Sequence, residues 1–181
     1  MHYSINIRKE VRSDHKAVFK LIKDAFSNVQ YSDHKEQYLV ERLRHSAAFI
    51  PELSLVAEVN DQIAGHILLT KIEIVNYAQR SVSLALAPVA VHPEFQNRGI
   101  GAALIEHAHR TAKDLGYSSV ILLGHADYYP RFGYVPVSRF DIELPFEAPD
   151  ENCLIKILDA DTFDYTKGLV EYPKEFFEEV V

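Results

Sequence analysis

Gln96-Asn97-Arg98-Gly99-Ile100-Gly101 stands at the centre of the stretch from Ser81 to Gly116, and the reading of that stretch decides the fold. Upstream of it, Val82, Leu84 and Leu86 alternate with Ser83, Ala85 and Ala87, which is the period of a β-strand. At Pro88 the phase slips, because the next large residues are Val89 and Val91. A β-bulge produces such a slip, and proline is tolerated there since a ladder bond is already lost. Residues 81 to 91 therefore read as a strand kinked near Pro88.

Downstream, His92-Pro93-Glu94-Phe95 forms a connector and the pattern turns helical from Gly99. Ile100, Ala103, Leu104, Ala108, Ala112 and Leu115 recur at helical spacing, opposite Glu106, Arg110, Lys113 and Asp114, and Gly116 supplies a stop. A helix start carries unpaired N–H groups and the positive end of the dipole, and Gly99 and Gly101 have no side chains to keep an anion away. Arg98 could add a formal charge. The loop reads as a cradle for a pyrophosphate. Two familiar phosphate loops do not fit: Gly101 is followed by Ala102-Ala103 rather than Lys-Ser/Thr, and Leu104 stands where the dinucleotide fingerprint needs its third glycine.

The loop, with Leu86-Ala87-Pro88-Val89-Ala90-Val91-His92-Pro93 before it, resembles the Gln/Arg-x-x-Gly-x-Gly/Ala signature of the GNAT family of N-acetyltransferases. The resemblance extends to about Val137, and the wording Tyr-Pro-Arg-Phe-Gly-Tyr is similar to a bacterial subgroup of acetyltransferases. It implies acetyl-CoA as co-substrate and no metal. It also implies an α/β (α+β) fold: a central mixed sheet of about seven strands, antiparallel in its N-terminal part, with a splayed parallel pair and about four flanking helices. By the same resemblance, Val89, Ala90 and Val91 line the pantetheine arm, and Gln96, Asn97, Arg98, Gly99, Ile100, Gly101 and Ala102 hold the phosphates.

Composition is consistent with this. A chain of 181 residues with 48% apolar content can bury one core, and residues 1–181 read as a single domain with its core in 3–137 and an extended C-terminal segment in 138–181. A net charge of −7 argues against a nucleic-acid surface. The single Cys153 excludes an internal disulfide and suits a reducing cytoplasm, and no apolar run reaches membrane-spanning length. With no His-Glu-x-x-His motif and no cysteine cluster, a metal site is not expected.

From the N-terminus, Tyr3 to Arg8 reads as a strand, followed by a helix capped by Ser13 or Asp14. A second helix is expected from Ser32 or Asp33 to about Phe49, closed by Pro51. Leu53 to Val59 and Ile63 to Ile74 form a hairpin about Asn60-Asp61, with Gly65 marking a twist or a close approach. The helix from Gly99 then crosses to a strand at Val120 to Leu123. Beyond Val137 an extended excursion leads to a last strand, Leu154 to Leu158, and an aromatic tail; such a segment can line an acceptor pocket or form a homodimer surface. His107 falls on the apolar side of the loop helix and reads as a core or boundary residue, and Cys153 reads as a buried strand residue.

The second stretch with chemistry is Gly124 to Tyr134, just past a strand's carboxyl end, where α/β sheets place ligands. In the family an aromatic-Tyr pair ahead of Gly-Phe/Tyr lies on a short helix, and its second member gives a proton to the leaving thiolate; here that member is Tyr129. A phenol with pKa near ~10 suits a thiolate of similar basicity. Against this stands a Tyr129 that only packs. The base is harder to assign, because the strand position where the family often carries a carboxylate offers only Leu84, Ala85 and Leu86. Glu73 reads as an exposed strand residue, His92 as a turn residue and Asp127 as a helix cap, which leaves His125 as the candidate base. The expected activity is acetyl transfer from acetyl-CoA to a primary amine; the alternative is an acyl-CoA-binding or sensing module without chemistry.

Overall fold

The computed structural model describes residues 4–30 and 32–178. Its central sheet begins with a hairpin whose turn residues, Asn60 and Asp61, both have positive φ (50° and 61°). This handedness matches the twist of the flanking strands, so β2 (Phe49–Val59) and β3 (Gln62–Val75) pair from Val59↔Gln62 outward. β1 (Asn6–Lys9) lies antiparallel to β2, beginning later than expected; Tyr3 falls outside the described residues.

β3 turns at Asn76, whose Oδ1 accepts the N–H groups of Ala78 and Gln79, into β4 (Arg80–Val91). The β3–β4 register jumps from Leu69↔Leu86 to Ile67↔Val89, so β4 holds one residue more than β3 between those pairs. That is the expected bulge at Ala87-Pro88, whose peptide is cis.

α3 (Ile100–Asp114) crosses over to β5 (Ser119–Leu123), which runs parallel to β4 only at Leu84↔Val120 and Ala85↔Ile121. Beyond Ala85 the two strands part. β5 pairs instead with β8 (Cys153–Ile157), itself paired to the short β6 (Val135–Pro136). Two further strands complete the sheet: β9 (Gly168–Glu171) takes the edge of β3 that β2 leaves after Thr70, and the short β7 (Ile142–Glu143) pairs with β9. The sheet thus has nine strands where about seven were expected; the additions lie in the short segments after Gly133.

Both faces of the sheet are covered, which explains why β4 is apolar on both sides of its pleat. α3 lays Ile100, Leu104, Ile105, Ala108 and Ala112 on Leu55, Ala57, Ile67, Leu69, Leu84 and Leu86. On the opposite face α1 (His15–Phe26) and α2 (Glu36–Leu43) cover Val56, Leu68 and Ala90. The C-terminal segment brings Val137, Ile142, Phe163 and Val170 against Ile72, Ile74, Ala85, Ile121 and Ile155. The tail aromatics belong to this packing: Tyr172 meets Phe146 and Phe176 edge-on.

Several expected boundaries shift for local reasons. Asp14 spends its carboxylate on Arg8 and on the N–H of Val11 rather than on capping α1. Ser32 and Asp33 build the turn before α2, accepting the N–H groups of His34 and Lys35, so the helix begins at Glu36. It ends at Leu43, and Phe49 already pairs with Thr70, which puts Pro51 inside β2 at an irregularity in the ladder. Only three α-helices form among the described residues, supplemented by single 3₁₀ turns, where about four helices were expected. Among the described residues no helix is long and apolar enough to cross a membrane.

Candidate active site

The N–H of His92 donates to Ala64 O on β3 at 2.9 Å. Strand alternation then points the main-chain groups of Val89 and Val91 the other way, into the gap where β4 and β5 have separated. Gln96 Nε2 reaches back to Val91 O at 3.2 Å and ties the loop to that edge. His92 Nδ1 accepts Glu94 N–H and caps the 3₁₀ turn Pro93–Phe95, the turn role expected of it.

From there the chain runs exposed through Gln96, Asn97, Arg98 and Gly99 into α3. Gly99 has φ +79°, and a Cβ added to it would meet nothing within 4 Å, so glycine is needed here for backbone conformation and not to relieve crowding. The first internal bond at this end is Ala103 N–H to Gly99 O, which leaves the N–H groups of Ile100, Gly101 and Ala102 for an anion. Arg98 lies over the Phe95 ring, 5.5 Å from its centroid. The first turns of α3 sit hard on the sheet: a Cβ on Gly65 would stand 2.8 Å from Leu104 Cδ1 and 3.0 Å from Ile100 Cγ2. Gly65 therefore marks the close approach anticipated for it.

Across the gap, the Gly124–Tyr134 segment follows β5. His125 O accepts the N–H groups of Tyr128 and Tyr129 at 3.1 and 3.3 Å, and a 3₁₀ turn follows at Tyr129–Phe132. The Tyr129 ring packs against Gly124, where a Cβ would be 2.4 Å from Cε2 and 2.9 Å from Cδ2. It also meets Tyr128 edge-on at 5.1 Å and Tyr134 at 5.6 Å. Tyr128 is the residue whose hydroxyl comes next to the loop, 3.5 Å from where a Gly101 Cβ would be. Arg131 stacks on Tyr128 at 4.5 Å and its Nε donates to Tyr128 O.

Burial, reinforced by neighbouring Tyr128, pushes the Tyr129 phenol well above its ordinary pKa, so it stays protonated at neutral pH. A neutral phenol can donate a proton to a charge that develops within its reach.

The base candidates are scattered. His125 has an exposed side chain and serves the turn through its carbonyl. Asp127 is exposed, and the residue before the 3₁₀ turn is Tyr128, so the expected cap does not form. Glu73 is paired with Arg80, which also binds Glu171, near the far end of the β3–β4 hairpin. Among the described residues no cluster of three or more His, Cys, Asp or Glu could hold a metal.

Two residues of this region escaped the sequence reading. His107 is half-buried, at the boundary, whereas His109 is buried and bonds the hydroxyl of Tyr134. The spacing held a signal, since His109 follows Ile105 by one helical turn.

Residues 51–136 match the family model described as an acetyltransferase (GNAT) domain. The chain is similar to an uncharacterized N-acetyltransferase, YjhQ, of Escherichia coli K12: 35% identical over 119 residues, 65% of this chain and 66% of that protein. A solved GNAT family acetyltransferase from Brucella melitensis, in complex with acetyl-CoA, is 31% identical with a TM-score of 0.78, covering 97% of this chain and 99% of that one. The E. coli GNAT family N-acetyltransferase YhbS, in complex with CoA, shares the fold at 22% identity, with a TM-score of 0.86 over 98% of this chain and 94% of its own.

Proposed function

We propose that this chain, which belongs to the GNAT family of N-acetyltransferases, moves the acetyl group of acetyl-CoA to a primary amine of a small molecule or peptide by direct attack. The observation that carries the reading is the gap between β4 and β5, with the start of α3 at one side and the Tyr128-Tyr129 turn at the other. The residues present suit this donor. Free N–H groups at Ile100, Gly101 and Ala102, with Gln96 to Gly99 around them, form the phosphate cradle, and Val89, Ala90 and Val91 run along the pantetheine arm.

In the chemical step the amine nitrogen bonds to the acetyl carbon and the carbon–sulfur bond breaks. Tyr129 gives its phenol proton to the departing thiolate and is reprotonated from solvent, while the amine's surplus proton leaves to water or to His125. Orientation and exclusion of water in a gap of this kind supply much of the rate, so an unaided amine can serve where no strand-borne base stands. The second reading, an acyl-CoA-binding module without turnover, draws on the three apolar, buried residues Leu84, Ala85 and Leu86 at the place of a family base.

Calorimetric titration with acetyl-CoA tests the cradle, in the parent and in a Gly99→Glu, Gly101→Glu variant shown to be folded by circular dichroism; Gly101→Glu alone serves if the pair unfolds. Binding by the parent and its loss in the variant are expected. Absence of binding to folded parent protein would overturn the reading. A panel of alkylamines, polyamines, aminoglycosides and lysine-containing peptides, followed by release of the CoA thiol, then separates an enzyme from a binding module.

A further inference from the structure

Past the middle of α3, His109 turns its imidazole into the core: it is 7% exposed, and its Nε2 lies 2.8 Å from the hydroxyl of Tyr134. Tyr134, 2% exposed, is the ring that Tyr129 meets edge-on, with planes at 74°. Among the described residues, this is the one side-chain hydrogen bond between α3 and the segment 124–136. The other side of the same turn is held separately, by Lys156 Nζ donating to Phe132 O at 2.6 Å.

The rest of this helix face is Ile100, Leu104, Ile105, Ala108 and Ala112, so an apolar side chain would suit the site of His109. Burial, with the charge of Lys156 adding to it, lowers the His109 pKa to about 4, and the imidazole is neutral. It offers one N–H and one bare nitrogen, and so meets a phenol hydroxyl without bringing a charge into the core. A buried hydrogen bond between two neutral groups adds little net stability, but it is directional. Here it fixes the tilt of the Tyr134 ring, which is the wall behind Tyr129.

We propose that His109 and Tyr134 are a positioning pair for the reaction. α3 is one rigid rod, with the phosphate cradle at its start and His109 further along it. Through Tyr134, the rod that anchors the donor also sets where the Tyr129 hydroxyl stands relative to the acyl group. The inference rests on the reading of Tyr129 as the acid.

The test is CoA release from acetyl-CoA with the amine from the panel that turns over best. His109→Leu and Tyr134→Phe each delete the bond while keeping bulk, and each lowers kcat about tenfold with KM for acetyl-CoA changed less than about twofold. The double variant is no slower than either single one, because the two changes remove the same bond. His109→Gln, whose amide can meet the hydroxyl, recovers most of kcat. In a Tyr129→Phe background His109→Leu has no further effect. Equal losses with and without the Tyr129 hydroxyl, or undiminished kcat in both single variants, overturn the proposal. Full turnover by Tyr129→Phe alone sinks the acid reading instead, and the positioning role with it. A readout free of turnover is the Tyr129 Cζ resonance in 13C-tyrosine-labelled protein with acetyl-CoA, assigned by its loss in Tyr129→Phe: it moves in His109→Leu and returns in His109→Gln, and an unmoved resonance counts against the pair. Should His109→Leu fail to fold, Tyr134→Phe, which deletes a single oxygen, carries the same comparisons.

Discussion

Arg44 grips Glu10 side-on, Nε to Oε2 at 3.2 Å and Nη2 to Oε1, with both side chains buried beneath the ends of α1 and α2. Ser54 Oγ donates to Glu10 Oε2 at 2.6 Å and lies 3.2 Å from His66 Nε2, so one carboxylate joins the first strand, the second strand and the end of a helix. Removing Arg44 leaves the Glu10 charge buried, with only Ser54 and His66 beside it. Arg44→Met is expected to lower unfolding free energy by about 3–5 kcal/mol, measured by urea denaturation. Acetyl-CoA affinity of the folded protein should not change, and a loss of stability below about 1 kcal/mol, the value of an exposed pair, would refute the account.

Acid should weaken the fold before ordinary carboxylates titrate. Burial lowers the His66 pKa from 6.5 to about 4, against the pull of Glu10, and burial lowers that of His109 to about 4 as well. An unfolded chain binds these protons near 6.5, the folded one only near 4, so the unfolded state holds more protons between those values. Their contribution is complete above the upper value and is lost as pH falls through the window, up to about 3 kcal/mol for each histidine. Glu10 adds to the loss at lower pH: burial raises its pKa, but Arg44, His66 and Ser54 outweigh burial and hold it below 4.5. Urea midpoints between pH 7.5 and 4.5 should fall steeply in the parent and less so in a His66→Gln, His109→Gln variant. Parallel slopes would exclude these residues as the cause.

Gly124 gives the Tyr129 ring its seat. Gly124→Ala puts a methyl where the ring now lies, 2.4 Å from Cε2, and must push the ring aside. Turnover should drop about tenfold to a hundredfold, comparable to Tyr129→Phe, while acetyl-CoA affinity stays within about twofold. His125→Ala, by contrast, spares the backbone bonds of the turn; a change in the pH profile of kcat in that variant would mark the imidazole as the base, and an unchanged profile would remove it from the role.

Gly65 keeps the first turns of α3 against the sheet. Gly65→Val collides with Leu104 and Ile100 and should cost about 1–3 kcal/mol in stability. Because the collision lifts the start of the helix, acetyl-CoA binding should weaken as well, unlike the response to Arg44→Met. Stability lost with affinity intact would show that the cradle tolerates the displacement.

Much of the architecture was legible because it is encoded locally. The slip of phase at Pro88 revealed the bulge, Asn60-Asp61 the hairpin, and Gly99 the start of α3. The overrun of the second helix also has a local origin: Ser32 and Asp33 have the chemistry of helix caps but close a turn, and apolar Phe49 serves a strand. Contacts distant in sequence were the ones missed. Helical phase puts His109 on the buried face, but its partner Tyr134 arrives from beyond β5, and the pairing of β9 with β3 depends on a segment that reads only as an aromatic tail on its own. The loop and Tyr129 could be named from their motifs, whereas the packing that holds Tyr129 could not.

The two-rung contact between β4 and β5 also sets a rhythm of solvent exchange along a single strand. Ala90 pairs with His66 and His92 bonds to Ala64, so their amide hydrogens are locked on the β3 side, while those of Val89 and Val91 face the opening. Free protein in deuterated buffer should therefore show fast and slow positions in alternation from Val89 to His92. A ligand lying along the opening would slow the fast positions and leave the slow ones as they were, so that one strand records occupancy of the gap residue by residue.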